Sequence, residues 1–134
     1  MTKASLTLRI VYALCLAGAT CTHVLLHVQY GVLLGGLEGF GVPPVSRYYW
    51  SSLTLLDPLA ALLIFIRPRV GLTLAAGIIV SDVAHNSWIW HHLDITLDAR
   101  YWAQVAFLIF LFATIFFAWR GIPQISLRAE EKTA

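Results

Sequence analysis

Hydrophobic residues occur in four long runs along the chain, and few charged residues interrupt them. The runs extend over residues 8–30, 48–66, 70–90 and 101–119. A helix of about 20 mostly apolar residues is long enough to cross the hydrocarbon layer of a membrane. The pattern therefore predicts an all-α integral membrane protein, a single domain over residues 1–134 that is a bundle of four transmembrane helices.

Composition supports this prediction and excludes several other classes of protein. Of the 134 residues, 59% are hydrophobic and 12% are charged, against about 25% charged in an ordinary soluble domain. A net charge of +2 leaves no basic surface for DNA or RNA. Cys15 and Cys21 are spaced so that they fall on different helix faces, and they match no zinc or dithiol motif. We therefore expect the lipid bilayer as a partner and no nucleic acid.

Basic residues are distributed unequally between the two sides of the predicted membrane domain. Seven lie on one side if the helices alternate, and only Arg47 and Arg100 lie on the other. Short loops rich in Lys and Arg remain in the cytoplasm. The distribution predicts an even number of spans, cytoplasmic N- and C-termini and a multi-pass location in the inner membrane of a cell. The seven are Lys3, Arg9, Arg67, Arg69, Arg120, Arg128 and Lys132.

The opposite, outer side carries Tyr and Trp residues at the ends of all four spans, as is typical of a membrane interface. Residues 31–47 on this side contain five glycines followed by Pro43 and Pro44. Such a segment is either a flexible connector or a lid over the bundle. The fourth span is surrounded almost completely by Phe, Leu and Ile, so we expect a lipid-facing wall that contributes no chemistry. The polar tail over residues 121–134 indicates a solvated end.

Ionisable and polar residues inside the first three spans are the most informative feature of the sequence. Such residues are costly in a membrane and usually functional. Counted at ~1.5 Å of rise per residue, they lie roughly 5 to 13 Å below the outer ends of their helices. The sequence therefore predicts a shared polar cavity in the outer half of the bundle. Its predicted lining is His23, His27, Asp57, Asp82, His85 and Asn86, with Thr20 and Thr54 as supporting hydroxyls.

Two stripes of small residues predict which helix faces lie inside the bundle. Residues four apart lie on one helix face, and small side chains allow two membrane helices to approach closely. We expect both stripes to face neighbouring helices. The first stripe leads to the histidines of span one, and the second leads to the histidine of span three. They consist of Cys15, Ala19, His23 and His27, and of Thr73, Gly77, Ser81 and His85.

Asp57 directly precedes Pro58 in the second span. Proline lacks a backbone N–H and disfavours helical geometry at the residue before it. A kink here would free a carbonyl near Thr54 and could open a pocket at mid-membrane. Two alternatives remain: an Asp57 that only caps the freed group, or an Asp57 that acts as a functional acid.

The histidines also allow a metal or haem site. His23 and His27 have the i, i+4 spacing of two-histidine metal sites on helices. Together with Asp82 and His85, they form a candidate site for zinc, iron, copper or manganese. One histidine from each helix could alternatively ligate a haem. The competing interpretation is a hydrogen-bond network that fixes helix register, at about 0.6 kcal/mol per pair.

The arrangement of the spans resembles the EXPERA group of sterol isomerases and sigma-2-type receptors. The residues that carry the resemblance are Asp57 before the mid-membrane Pro58, and His85 on the third span. The resemblance implies a bundle cavity lined by acidic residues that binds amphipathic amines or sterols. The first span departs from the group's pattern, because it carries histidines where an acidic residue is expected.

Three functional hypotheses follow from the sequence. The first is a binding site for a small ligand or metal ion that enters from the extracytoplasmic face, with Asp57 or Asp82 as the counter-charge. The second is a membrane enzyme that uses Asp57 as acid and a histidine, His85, as base on a lipid-soluble substrate. The third is an accessory subunit or homo-oligomer that packs against a membrane-protein partner. A transporter is disfavoured because no polar residue continues the path through the cytoplasmic half.

Overall fold

The computed structural model of the protein describes residues 2–93 and 98–120, and these form helices and no strand. The four predicted runs each lie within one α-helix, which begins two to five residues before the predicted run. A short 3₁₀-helix, Val32–Phe40, follows the first α-helix. The α-helices are α1 (Lys3–Tyr30), α2 (Pro44–Ile66), α3 (Pro68–Leu93) and α4 (Ala99–Arg120). Asp94 and the tail over residues 121–134, with Arg128 and Lys132, lie outside the described residues.

Three of these helices, α1, α2 and α4, are long and apolar enough to cross a membrane. Their length and composition are compatible with a membrane protein. The third helix, α3, is also long but is less apolar, since its C-terminal half contains Asp82, His85 and Asn86. Whether α3 spans a membrane therefore depends on how these polar side chains are placed.

Residues at the helix ends explain where the helices begin and end. Thr2 caps α1, because its side chain accepts a hydrogen bond from the backbone of Ser5. Gly31 ends α1 with φ of 80°, a conformation that glycine adopts without strain. Pro44 is the first residue of α2, where its missing N–H costs nothing. Asp98 caps α4 by accepting hydrogen bonds from two backbone N–H groups.

The four α-helices form a closed ring in which each helix packs against the next and α4 returns to α1. We call the half of this ring in which α1 begins the proximal half, and the half in which α1 ends the distal half. The apolar core lies mainly in the proximal half, where buried side chains from all four helices meet. Its largest members include Tyr12, Leu16, Ile64, Leu72 and Leu111.

The proximal half also contains buried polar contacts that tie α1 to α4. Ser5 Oγ and Arg9 Nη2 both donate to the carbonyl oxygen of Ala118, at 2.9 and 3.1 Å. Tyr12 and Thr114 share a hydrogen bond of 2.7 Å. The half of the bundle away from His23 and His27 therefore does contain polar groups, in contrast to the sequence argument that no polar residue continues the path there. These contacts close the proximal end of the α1–α4 pair.

The segment between α1 and α2 is structured. Its 3₁₀-helix packs against both helices, and Leu34 is fully buried. Leu33 and Leu34 have φ of 51° and 55°, a left-handed conformation that is uncommon for residues with a side chain. Of the two alternatives for this segment, this packing disfavours a flexible connector.

The small-residue stripes face neighbouring helices only in part. On α3, Thr73 and Gly77 are exposed, whereas Ser81 shares a hydrogen bond of 2.8 Å with Tyr49 of α2. On α1, His23 and His27 face Asp57 and Ser51 of α2. Cys15, at the start of the stripe on α1, is exposed. The inward face of α3 is formed instead by larger residues, which include Ala75, Ile78, Ile79 and Asp82.

Candidate functional site

A histidine and an aspartate from neighbouring helices face each other inside the distal half. His23 on α1 and Asp57 on α2 are 6% and 1% exposed. His23 Nε2 lies 3.6 Å from Asp57 Oδ2, beyond the usual hydrogen-bond distance. Within the described part of the chain, neither His23 Nδ1 nor Asp57 Oδ2 has a hydrogen-bond partner. Buried polar atoms are normally paired, so this pair has unused capacity to bind a polar group.

Helix α2 continues through Pro58 from Pro44 to Ile66. Pro58 is exposed, so its ring lies on the outer side of α2 and takes no space in the interior of the bundle. Asp57 falls in the inward stripe of α2 together with Leu53, Ala60 and Ile64. This helical phase places the carboxyl group inside the ring.

A second polar group joins three helices at Asn86. Its Nδ2 donates to Asp82 Oδ1 at 3.0 Å and to Gln104 Oε1 at 2.8 Å. Its Oδ1 accepts from Trp50 Nε1 at 2.8 Å. These bonds use both the amide donors and the amide acceptor of Asn86. They hold the carboxyl of Asp82, which is 4% exposed, in a fixed position on α3.

His27 lies one turn beyond His23 and has partners of its own. Its Nδ1 is 2.8 Å from the carbonyl oxygen of His23, and its Nε2 is 3.1 Å from Ser51 Oγ. A carbonyl oxygen can only accept, so Nδ1 donates and the Nε2 of the neutral ring accepts from Ser51. His27 thus links α1 to α2 and is fully engaged.

His85 lies within a group of aromatic rings. Its ring centroid is 4.5 Å from that of Tyr49 and 5.8 Å from those of Trp50 and Trp88. Asp57 and His85, predicted as an acid and base pair, are not brought together. The histidine that faces Asp57 is His23.

A cavity of about 310 Å³ lies among the four α-helices. His23, Asp57 and Asp82 line it, as predicted from their depth, whereas His27, His85 and Asn86 do not. Its walls toward the proximal half are apolar side chains such as Leu16, Ile79 and Phe107. None of the described lining residues comes from the segment between α1 and α2, so the prediction of a lid over this cavity is not supported. The polar lining residues are Thr22, His23, Asp57, Asp82, Arg100 and Gln104.

The fourth helix contributes to the site, so its prediction as a purely lipid-facing wall is wrong. Gln104 accepts the hydrogen bond from Asn86 and lines the cavity. Arg100, Ala103 and Phe107 line it too. The available signal was Gln104, one of only two polar residues in the predicted fourth span and close to its outer end.

The predicted metal ligands are not gathered into one site. Across residues 2–93 and 98–120, no group of three or more His, Cys, Asp or Glu side chains is arranged to hold a metal ion. His27 is engaged by Ser51, and His85 packs against aromatic rings. The predicted set of His23, His27, Asp82 and His85 is therefore not arranged as a metal site with three or more of these ligands. His91 and His92 are exposed at the end of α3.

Comparison of this chain with protein-family models, curated proteins and solved structures found no match. The resemblance to the EXPERA group thus gains no support beyond the residues quoted for it. The function has to be inferred from the geometry of the site.

Proposed function

We propose that this chain is a four-span protein of a cell's inner membrane, with both termini in the cytoplasm, that binds a small organic ligand. The ligand occupies the cavity between the four helices, and its polar group contacts His23, Asp57 and Asp82. In this proposal the distal half of the bundle is the extracytoplasmic half. Binding sites between the helices of a bundle are common in membrane and soluble proteins.

One observation carries this proposal: a buried imidazole and a buried carboxyl line the same cavity, and each has an unpartnered atom. A side-chain network that served only to fix helix register would use these atoms between helices, as Asn86 does. Leaving such groups unpartnered in a buried position is unfavourable by about 1–3 kcal/mol each. A ligand that supplies the missing partners would recover this free energy.

The lining favours a ligand whose polar group donates hydrogen bonds. Asp57 and Asp82 contribute carboxyl oxygens, which accept. The remaining walls are mainly aliphatic and aromatic, for example Ile78 and Phe107. Arg100 also lines the cavity, but it is paired with Asp98 at 3.1 Å. An amine or alcohol attached to an apolar body therefore satisfies both parts of the cavity, whereas a carboxylate would meet the carboxyl groups of Asp57 and Asp82.

Three probes with the same chain and different head groups test this proposal: octylamine, 1-octanol and octanoate. We expect octylamine and 1-octanol to raise the melting temperature of the protein in lipid nanodiscs, and octanoate to leave it unchanged. A probe present at ten times its Kd stabilises the fold by about 1.4 kcal/mol, which corresponds to roughly 5 °C in a chain of this size.

Asp57→Asn should remove most of the octylamine shift, because the amide offers one acceptor in place of a carboxylate. Glu38→Gln is the matched control, since the Glu38 side chain is 78% exposed and lies outside the cavity. Equal shifts with all three probes would show a general effect on the bilayer. An undiminished octylamine shift in Asp57→Asn would also contradict the proposal.

A further inference from the structure

We propose that the ligand reaches the cavity sideways from the bilayer, through a gap between α1 and α4, and that it is a single-chain amphiphile. The inference rests on the proposed function and adds the route and the class of ligand. The α1–α4 gap is bordered by Cys15 and Gly18 on α1 and by Ala103 on α4.

Side-chain contacts in the distal half join every pair of neighbouring helices except α1 and α4. His27 and Ser51 join α1 to α2. Trp50 joins α2 to α3 through Asn86, which in turn joins α3 to α4. Among the described residues, the hydrogen bonds and ring contacts between α1 and α4 involve only Tyr12 and residues before it on α1. The two helices are therefore held together proximally, up to the contact between Tyr12 and the cavity-lining Phe107. Among the described residues, these bonds do not extend to the level of His23.

The borders of the α1–α4 gap are small and exposed. Cys15, Gly18 and Ala103 all line the cavity and are also exposed on the outside of the bundle. A Cβ atom added at Gly18 would meet no other atom within 4 Å. The space next to Gly18 is therefore open, and the cavity is continuous with the surface that would face lipid.

Polarity changes across the cavity in the direction that an amphiphile requires. Leu16, Ile79 and Phe107 form apolar walls, while His23 and Asp57 form the polar part of the lining on its distal side. A chain that enters from lipid can therefore remain among apolar side chains while its head group reaches the imidazole and the carboxyl. Below the interface, hydrocarbon offers such a head group no hydrogen bonds, so the imidazole and the carboxyl stabilise it at this depth.

The volume limits the size of the ligand. About 310 Å³ is at the lower end of the range of roughly 300–1,000 Å³ for small-molecule sites. A head group with part of one alkyl chain does fit, and the rest of the chain can extend through the α1–α4 gap into the bilayer.

Two carbodiimides of different solubility test the route. A carboxyl group adds across a C=N bond of the carbodiimide, its proton passes to nitrogen, and rearrangement leaves an N-acylurea that contains all atoms of both reactants. We expect the lipid-soluble dicyclohexylcarbodiimide to modify Asp57 or Asp82 of the protein in liposomes. A water-soluble carbodiimide should modify the exposed Glu38 and Asp98 and spare the cavity. Peptide mass spectrometry identifies the modified residues.

Two alanines on α4 provide a matched pair of variants. Ala103 and Ala106 are both exposed, and only Ala103 lines the cavity. Ala103→Trp should slow modification of the cavity carboxyls by about tenfold, the change that ~1.4 kcal/mol of added barrier produces. Ala106→Trp should leave the rate unchanged. Equal rates in the two variants would overturn the α1–α4 gap as the route.

Alkylation of the native cysteines is a second test of the route, and this modification is made after the protein has folded. Cys15 lines the cavity, whereas Cys21 is exposed on the same helix and does not line it. In single-cysteine variants, alkylation of Cys15 with N-ethylmaleimide should slow the lipid-soluble reagent, and alkylation of Cys21 should not. If the rate is insensitive to alkylation at Cys15, the proposed route is wrong.

The outcomes separate the route from the proposed function. If the water-soluble reagent modifies Asp57 faster than the lipid-soluble one, the cavity is reachable from water. The lateral route is then wrong, and a ligand site remains. If neither reagent modifies Asp57 or Asp82 while Glu38 reacts, the cavity is closed to small molecules, and both proposals fail.

Discussion

Asn86 is the residue at which three helices of the distal half meet. It donates to Asp82 on its own helix and to Gln104 on α4, and accepts from Trp50 on α2. One amide thus satisfies a carboxyl, another amide and an indole N–H. Its role is to position Asp82 and Gln104, both of which line the cavity.

Asn86→Leu should destabilise the bundle, because Trp50 and Gln104 both lose the partner on α3. Three hydrogen bonds at about 0.6 kcal/mol each correspond to roughly 2 kcal/mol, measurable as a lower melting temperature in detergent micelles. Thr73→Val is the control on the same helix, since Thr73 bonds only to the backbone of its own helix and is exposed. A similar loss in both variants would show that Asn86 has no special role.

The sequence predicted the residues of the site by depth but could not predict their partners. His23, Asp57 and Asp82 lie at similar depths, and all three line one cavity. Depth depends only on the helical rise and is readable from the sequence. The pairing of His23 with Asp57, and the position of His85 among aromatic rings, depend on how each helix is rotated about its axis. The rotation of a helix about its axis is determined by its packing against neighbouring helices, and the hydrophobic pattern of one sequence does not specify this packing.

At the scale of elements, the short connection between α2 and α3 brings their backbones into direct contact. Arg67 alone separates the two helices. A Cβ atom added at Gly71 would lie 2.2 Å from the backbone nitrogen of Ile64 and 2.4 Å from the carbonyl carbon of Leu63. Backbone atoms cannot turn away as a flexible side chain can. Glycine at this position therefore determines how closely α3 packs against α2.

Gly71→Ala should lower stability by about 1–3 kcal/mol, the usual effect of overpacking. Gly77→Ala on the same helix should have the opposite sign, with a gain of up to ~1 kcal/mol, because alanine favours a helix and its Cβ would meet nothing within 4 Å. Thermal unfolding of both variants in the same detergent measures the difference. An unchanged stability of Gly71→Ala would show that α2 and α3 can move apart at no cost in stability.

The two glycines also show why the proximal part of the small-residue stripe on α3 is exposed. Gly77 belongs to a regular stripe with Thr73 and Ser81, the pattern that favours close helix packing in membranes. The close approach occurs at Gly71, outside that stripe. Because the connection after Ile66 is so short, it fixes the rotation of α3, and Thr73 and Gly77 of the stripe are left exposed.

For the whole molecule, the number of membrane crossings depends on whether α3 crosses the bilayer. Among the described helices, α3 alone is not apolar enough throughout to cross a membrane by composition. Its most costly residue, Asp82, is nonetheless turned inward and bonded to Asn86. A helix whose polar groups face the bundle interior and are paired can cross a bilayer. We therefore expect four spans, with alternating directions around the ring.

Labelling of single cysteines from each side of the membrane tests this topology. In cysteine-free protein in intact cells, an impermeant maleimide should reach Glu38→Cys and Arg100→Cys from outside. Lys3→Cys and Arg69→Cys should react only after the membrane is opened. All four positions are exposed, so the solvent accessibility of the folded chain does not limit the reaction.

Labelling at Arg69 and Arg100 shows whether α3 crosses the membrane, since the two residues lie near its opposite ends. If both react from the same side, α3 does not cross, and the four-span proposal is wrong. In that case Asp82 could not meet Asp57 within the bilayer, because α3 would lie along the membrane surface. The alternative outcome is that the cysteines at Arg69 and Arg100 react from opposite sides and that the cysteine at Lys3 reacts from the same side as Arg69. The His23 and Asp57 pair then lies in the half of the membrane opposite to the N-terminus. This is the half that the basic residues predict to be extracytoplasmic.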